Sequence, residues 1–184
     1  MRRGLLPVAV LAAVLLAACG EDERAEAPPP EKISYDSIGH YCGMAVMEHK
    51  GPKGQILLKS QDRALWFTSV RDTIAYTMLL DEAKDYDAIY VTDMGRATDW
   101  DHPENGAWVE ARDAFYVIGS TKVGGMGAPE TVPFGSRQAA EAFTREHGGT
   151  IFAFKDIPQD AVLGAVEMKS STGAPPVKNG AHAP

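Results

Sequence analysis

Tyr41-Cys42-Gly43-Met44-Ala45-Val46 sets a thiol and a thioether two residues apart, with a glycine between them. In an extended segment the side chains of residues i and i+2 leave the same face. The spacing therefore predicts two sulfurs, from Cys42 and Met44, directed at one point, and Gly43 keeps the space between them open. Soft sulfur donors favour Cu(I) over hard cations that seek oxygen. The motif can hold a soft monovalent metal. The competing role for such a thiol is a place in the core, where unpaired cysteines commonly pack.

The start of the chain bears on that choice. Arg2 and Arg3 precede an apolar run at residues 5–18, broken only by Pro7. The run is shorter than the roughly 20 residues of a membrane span and has the form of an export signal. It ends in Leu16-Ala17-Ala18-Cys19, which resembles the lipobox of bacterial lipoproteins. That resemblance implies cleavage after residue 18 and lipidation of Cys19. Gly20 in place of aspartate points, by analogy with enterobacterial sorting, to the outer membrane. Lipidation uses one of the two cysteines and leaves Cys42 alone in a compartment that oxidises thiols. A lone thiol there is a liability unless it is buried, metal-bound or reactive. Loss of Arg2 and Arg3 with the leader reduces 18 basic residues to 16 against 25 acidic ones, formally −9. That balance disfavours nucleic acid and anionic membrane surfaces as partners.

Residues 19–32, with Pro28-Pro29-Pro30 and high charge, read as a disordered tether, and 169–184 as a disordered tail. Between them, 33–168 suits one domain or two small lobes at about 33–93 and 107–168. Strand signals fall at 42–47, 55–59, 64–67, 88–92, 107–110, 114–119, 131–134 and 150–154, with 42–47 and 55–59 expected to pair as a hairpin. Ser69 and Ser136 each precede a helical pattern and predict N-caps; Gly148-Gly149 predicts the second helix's end. A last short helix is expected within 158–166. Phe67-Thr68-Ser69 and Phe134-Gly135-Ser136 recur 67 residues apart, as do Tyr76 and Phe143. Each half has strands entering a Ser-capped helix and a strand leaving it. The fold class is α+β, with duplicated ββαβ units.

Larger blocks carry a second resemblance. His40-Tyr41-Cys42-Gly43-Met44, Glu48-His49-Lys50-Gly51-Pro52-Lys53-Gly54, Trp108-Val109-Glu110-Ala111, Gly125-Met126-Gly127-Ala128-Pro129-Glu130 and Val132-Pro133-Phe134 are similar to the NosL family. The resemblance implies a copper-binding lipoprotein carrying Cu(I) for the assembly of periplasmic nitrous oxide reductase, alongside a membrane maturation complex. It also implies a fold related to the organomercurial lyases. Carried onto this chain, Cys42 and Met44 are copper ligands. Met126, set among glycines, is the first candidate for a third, against packing under its loop. His49, in a polar turn, is the next, and His40 shares the Cys42 segment. Met47, Met78 and Met94 are expected as core or surface fillers.

Other classes fit less of the chain. Structural zinc wants four nitrogen or sulfur ligands at recognisable spacing, and one cysteine with scattered histidines does not supply them. The loop around Asp99, Asp101, His102 and Glu104 lacks the spacing of a calcium loop. A thiol-dependent enzyme would lack a resolving cysteine. An anchored interaction module would have Cys42 in the core and bind no copper.

Overall fold

The structure, a computed structural model, describes residues 27–165 apart from Glu104. The expected leader, Cys19 and the tail at 169–184 lie outside the described residues.

Gly54–Leu58, with Ile56, Leu57 and Leu58 in succession, forms strand β1, which is interior to an antiparallel sheet. Its neighbours are β2 (Leu65–Phe67) and β3 (Tyr86–Thr92), and β4 (Trp108–Glu110) follows β3. β1 lacks hydrophobic alternation because both of its faces are covered. On one face Gly54 abuts Thr73 of helix α1 (Val70–Met78), in a contact that any Cβ at Gly54 would overlap. On the other, the fully buried Gln55 exchanges two hydrogen bonds with the backbone of Glu31, of 2.8 and 3.0 Å. A second antiparallel sheet holds β5 (Phe115–Ile118) between β6 (Val132–Phe134) and β7 (Thr150–Ala153). In each sheet the chain runs strand, strand, helix, strand, and the first strand lies between the next two. Helix α2 (Arg137–His147) ends at Gly148, and α3 (Gln159–Leu163) closes the described chain.

Both helix starts are fixed locally. Ser69 Oγ accepts from Asp72 N–H at 3.0 Å, and Ser136 Oγ from Ala139 N–H at 3.2 Å. Each cap satisfies an amide that a first helical turn leaves unpaired. At the other end of α1, Lys84 Nζ donates to the carbonyls of Tyr76 and Leu79. A nine-residue helix is marginal alone; Val70, Ile74 and Tyr76 hold this one against the core. The main core draws Ile56, Phe67, Ile89 and Val91 from the first sheet and Tyr116 from the second, with Ile157 and Val162 beyond it. Each large side chain fully buried there contributes about 1.5–3 kcal/mol. Tyr116 thus links the second sheet to the first sheet's core, while Val117, Val132, Phe134 and Ala140 form a second cluster of their own.

Two expectations are corrected. Residues 42–47 are no strand: a turn is followed by one 3₁₀ turn at Val46–Glu48, and only Val46 of that turn is buried. The hairpin of 42–47 with 55–59 is therefore absent, and β1 pairs with β2 and β3. The distal part of the expected tether belongs to the domain. Besides the Glu31–Gln55 pair, Glu31 Oε1 accepts from Ala64 N–H at 2.9 Å and Pro28 O from Tyr90 Oη at 2.7 Å.

Asp93, buried just after β3, joins the sheets. Its Oδ1 accepts from Gly95 N–H at 2.9 Å and from Gly135 N–H, at the end of β6, at 2.8 Å. Asp93→Ala leaves both amides without this acceptor, and hydrogen bonds to charged groups contribute about 1.5–3 kcal/mol each. Urea denaturation should show a loss of about 3 kcal/mol, whereas Asp113→Ala, at an exposed position, should stay near wild type.

Candidate metal site at the start of helix α1

Gly39 N–H donates to Met44 O and Gly43 N–H to Gly39 O, each at 2.8 Å, which closes a tight turn over residues 39–44. Gly43 stands at φ 67°, a left-handed conformation that glycine adopts without steric cost. The same-face geometry of an extended strand does not apply here. Instead Cys42 Sγ folds back over Gly39, where an added Cβ would come within 2.6 Å of it. The thiol reaches Thr68 Oγ1 at 3.5 Å and is half-buried rather than sealed in the core. Met44 is 37 % exposed.

The turn is held from two sides. His40 N–H donates to Trp66 O at 2.7 Å, tying the turn to β2. Tyr41 Oη donates to Glu82 Oε1 at 2.7 Å, and His40 Nε2 lies 3.9 Å from Glu82 Oε2. The His40 and Tyr41 rings pack against Phe67 and Tyr76. Burial, and then the hydrogen bond to Glu82, raise the Tyr41 hydroxyl well above its ordinary value, so it remains a donor. His40 is thus placed as a brace of the turn.

Met126 sits on a second turn. Gly124 N–H donates to Ala128 O at 2.9 Å, Gly127 N–H to Gly124 O at 3.0 Å, and Val123 bridges Pro129. The Met126 side chain, 45 % exposed, borders a small cavity with Ser69, Arg71, Asp72 and Glu130. Cys42 touches Thr68, the residue before the α1 cap, and Met126 faces the first turn of α1. The same helix end therefore lies against both sulfur-bearing turns. That end carries partial positive charge.

His49 is placed differently. Its Cβ lies under Gly125, where an added Cβ would approach to 2.6 Å, but its Nδ1 contacts Ala45 O at 3.1 Å. Its ring lines a separate cavity of about 100 Å³ with Ile33, Met47, Lys53 and His102. That cavity and the one beside Met126 share no lining residue. Among the described residues no group of three or more His, Cys, Asp or Glu side chains is arranged to hold a metal ion. Met78 and Met94 pack against the cores as expected, and Met47 is exposed.

Sequence reasoning missed Thr68, Glu82, Lys53 and Glu130. Thr68 was within reach, since it directly precedes the predicted Ser69 cap. The others act across long separations with no local pattern.

A family model described as NosL matches residues 30–162, and the chain belongs to the NosL family. The chain is 46 % identical over 176 residues to a protein named copper-binding lipoprotein NosL from Achromobacter cycloclastes, covering 95 % of this chain and 91 % of that one. It is 34 % identical over 177 residues to a protein of the same name from Stutzerimonas stutzeri, covering 95 % and 90 %. Its fold matches the crystal structure of the copper chaperone NosL from Shewanella denitrificans with a TM-score of 0.66 and 32 % identity, over 72 % of this chain and 98 % of that one.

Two buried ionisable groups under the Met126 turn give the domain a pH signature. Burial pushes the Glu130 carboxyl up to about 8, opposed by hydrogen bonds from the Arg71 and Thr131 amides. Burial pulls Lys53 down to about 8, partly offset by Glu130. The native state keeps the Glu130 proton up to about pH 8, whereas the unfolded chain releases it near 4.5. This contribution is complete below about 4.5 and lost as pH rises to about 8. For Lys53 the unfolded chain holds its proton to 10.5, so stability recovers between about 8 and 10.5. Urea midpoints across this range should pass through a minimum near pH 8, and Glu130→Gln should flatten the acid-side limb and widen the alkaline one, because Lys53 loses the charge that partly supports it.

Proposed function

We propose that the chain is a lipid-anchored Cu(I) carrier on the periplasmic side of the outer membrane. Cys42, Met44 and Met126 are its ligands, and the copper centres of nitrous oxide reductase, with their membrane maturation complex, are the destination. The observation that carries this reading is the exposure of two thioethers on turns packed at one helix end beside a free thiol. A domain with a filled core has no packing need for methionines on these turns.

The ligand chemistry suits a cargo that must leave again. Cys42 supplies the anionic donor, and metal binding displaces its proton. Met44 and Met126 supply neutral, soft thioethers, a donor set that favours Cu(I) over Zn(II) or oxygen-seeking cations. An open, low-coordinate site lets an acceptor's sulfur or imidazole add before the carrier's ligands depart. Met126 is assigned ahead of His49 as third ligand because its turn faces the helix end that Cys42 touches. The proposal includes no catalysis, and the relatives are named for copper binding and chaperoning.

The anchor is supported by the relatives named lipoproteins: an alignment covering 95 % of this chain leaves too few residues outside it to omit Cys19. The shared strand order of the two sheets is read as the trace of a duplicated ββαβ unit, akin to the organomercurial lyase fold. That kinship transfers no lyase activity, since fold does not fix function.

Titration of the reduced chain against a competing chelator should give about one Cu(I) per chain, from the single cysteine-centred donor set. Cys42→Ser should lower affinity about a hundredfold and Met126→Leu about tenfold, with His49→Ala unchanged. Unchanged affinity in Cys42→Ser would remove the site, equal affinity for Zn(II) would remove the soft-metal reading, and loss in His49→Ala alone would exchange the third ligand. In copper-limited cells lacking the chain, nitrous oxide reductase should be copper-deficient; a fully metallated enzyme would exclude this destination.

A further inference from the structure

The cavity beside Met126 contains a carboxyl group that ligand chemistry leaves unused. Glu130 is only 2 % exposed. Its Oε1 accepts from Thr131 N–H at 2.9 Å and from Arg71 N–H at 3.1 Å. The Arg71 amide is one that the first turn of α1 leaves without a helical acceptor. Oε2 is buried without a hydrogen-bond partner and lies so close to Gly124 that any Cβ there would overlap it. On the far side of the turn, Gly125 rests on His49 and Lys50, and a Cβ added at Gly51 would meet Gly124 Cα at van der Waals distance. Lys53, also buried, donates to Gly51 O.

The Met126 turn is internally closed by its own two hydrogen bonds, so its placement depends on what grips it from outside. Glu130 connects it to α1. The carboxyl oxygen accepts from the second residue of the helix, Ser69 caps the same turn, and Thr68 before it meets the Cys42 thiol. We propose that Glu130 is the positioning residue of the metal site: by bonding the Met126 turn to the first turn of α1, it sets the reach of the Met126 thioether toward Cys42. The inference rests on Met126 being a ligand. Glu130 itself binds no copper and acts only through the turn.

The test is a double-mutant cycle on the full chain, read by Cu(I) competition and by the number of sulfur scatterers in copper X-ray absorption. Glu130→Ala, which removes the acceptor, should weaken Cu(I) binding about tenfold and remove one sulfur from the shell. In a Met126→Leu background it should cost nothing further. Gly125→Ala must lift the turn off His49 from the opposite side. It should give the same Met126-dependent loss, which keeps the test open should Glu130→Ala fail to fold. Wild-type affinity in Glu130→Ala beside a weakened Met126→Leu would overturn the proposal alone, as would losses that add in the double variant. Unchanged affinity in Met126→Leu would overturn the ligand assignment and the proposal with it.

Discussion

A helix must find partners for the amides of its first turn, and in this protein that requirement gathers the site. Ser69 supplies one acceptor from the chain itself. The other comes from Glu130, 59 residues away, and brings a glycine turn with it. The strand entering the helix adds the Trp66 carbonyl, which receives His40, and the Thr68 hydroxyl, which meets Cys42. Two distant segments, 39–44 and 124–130, thus converge because residues 66–72 offer polar groups to each of them.

That the proposed soft site falls on two turns rather than on a strand follows from the same geometry. Both faces of β1 are occupied, one by α1 and the other by Glu31. No sheet surface beside it is free for a ligand. The turns at 39–44 and 124–127 carry glycines where backbones meet closely or φ is positive, so their side chains can remain at the surface. Glu82, gripping Tyr41 at 2.7 Å, supplies from the exit of α1 the stiffness that a turn alone would lack.

Legibility in the sequence followed the range of the forces involved. Ser69 and Ser136 declared their helices because a cap acts within three residues, and β1 declared itself by the apolar residues Ile56, Leu57 and Leu58. Met126 was readable as a reachable sulfur from its glycine neighbours. The segment 42–47 was misread because its apolar letters suit a strand, while its shape is set by the bond from Gly39 to Met44 and by the conformation of Gly43. Glu130 left no local trace, since its partner Arg71 and its electrostatic neighbour Lys53 lie far along the chain. The tether boundary was set too late because Pro28-Pro29-Pro30 reads as linker, yet Tyr90 and Gln55 capture the backbone around it.

That early capture sets a length under the proposed anchoring. From Cys19 to Pro28 is a chain of at most about 30 Å. A domain anchored there as proposed would search a thin layer above the bilayer instead of the whole compartment. An acceptor embedded in or docked on the same membrane would meet it at a raised effective concentration, which depends on chain length rather than on contact strength. An acceptor on the facing membrane would lie beyond its arc unless the gap narrowed. In the proposed carrier, the hydrogen bonds that fasten residues 28 and 31 to the sheet would act as a ruler for delivery.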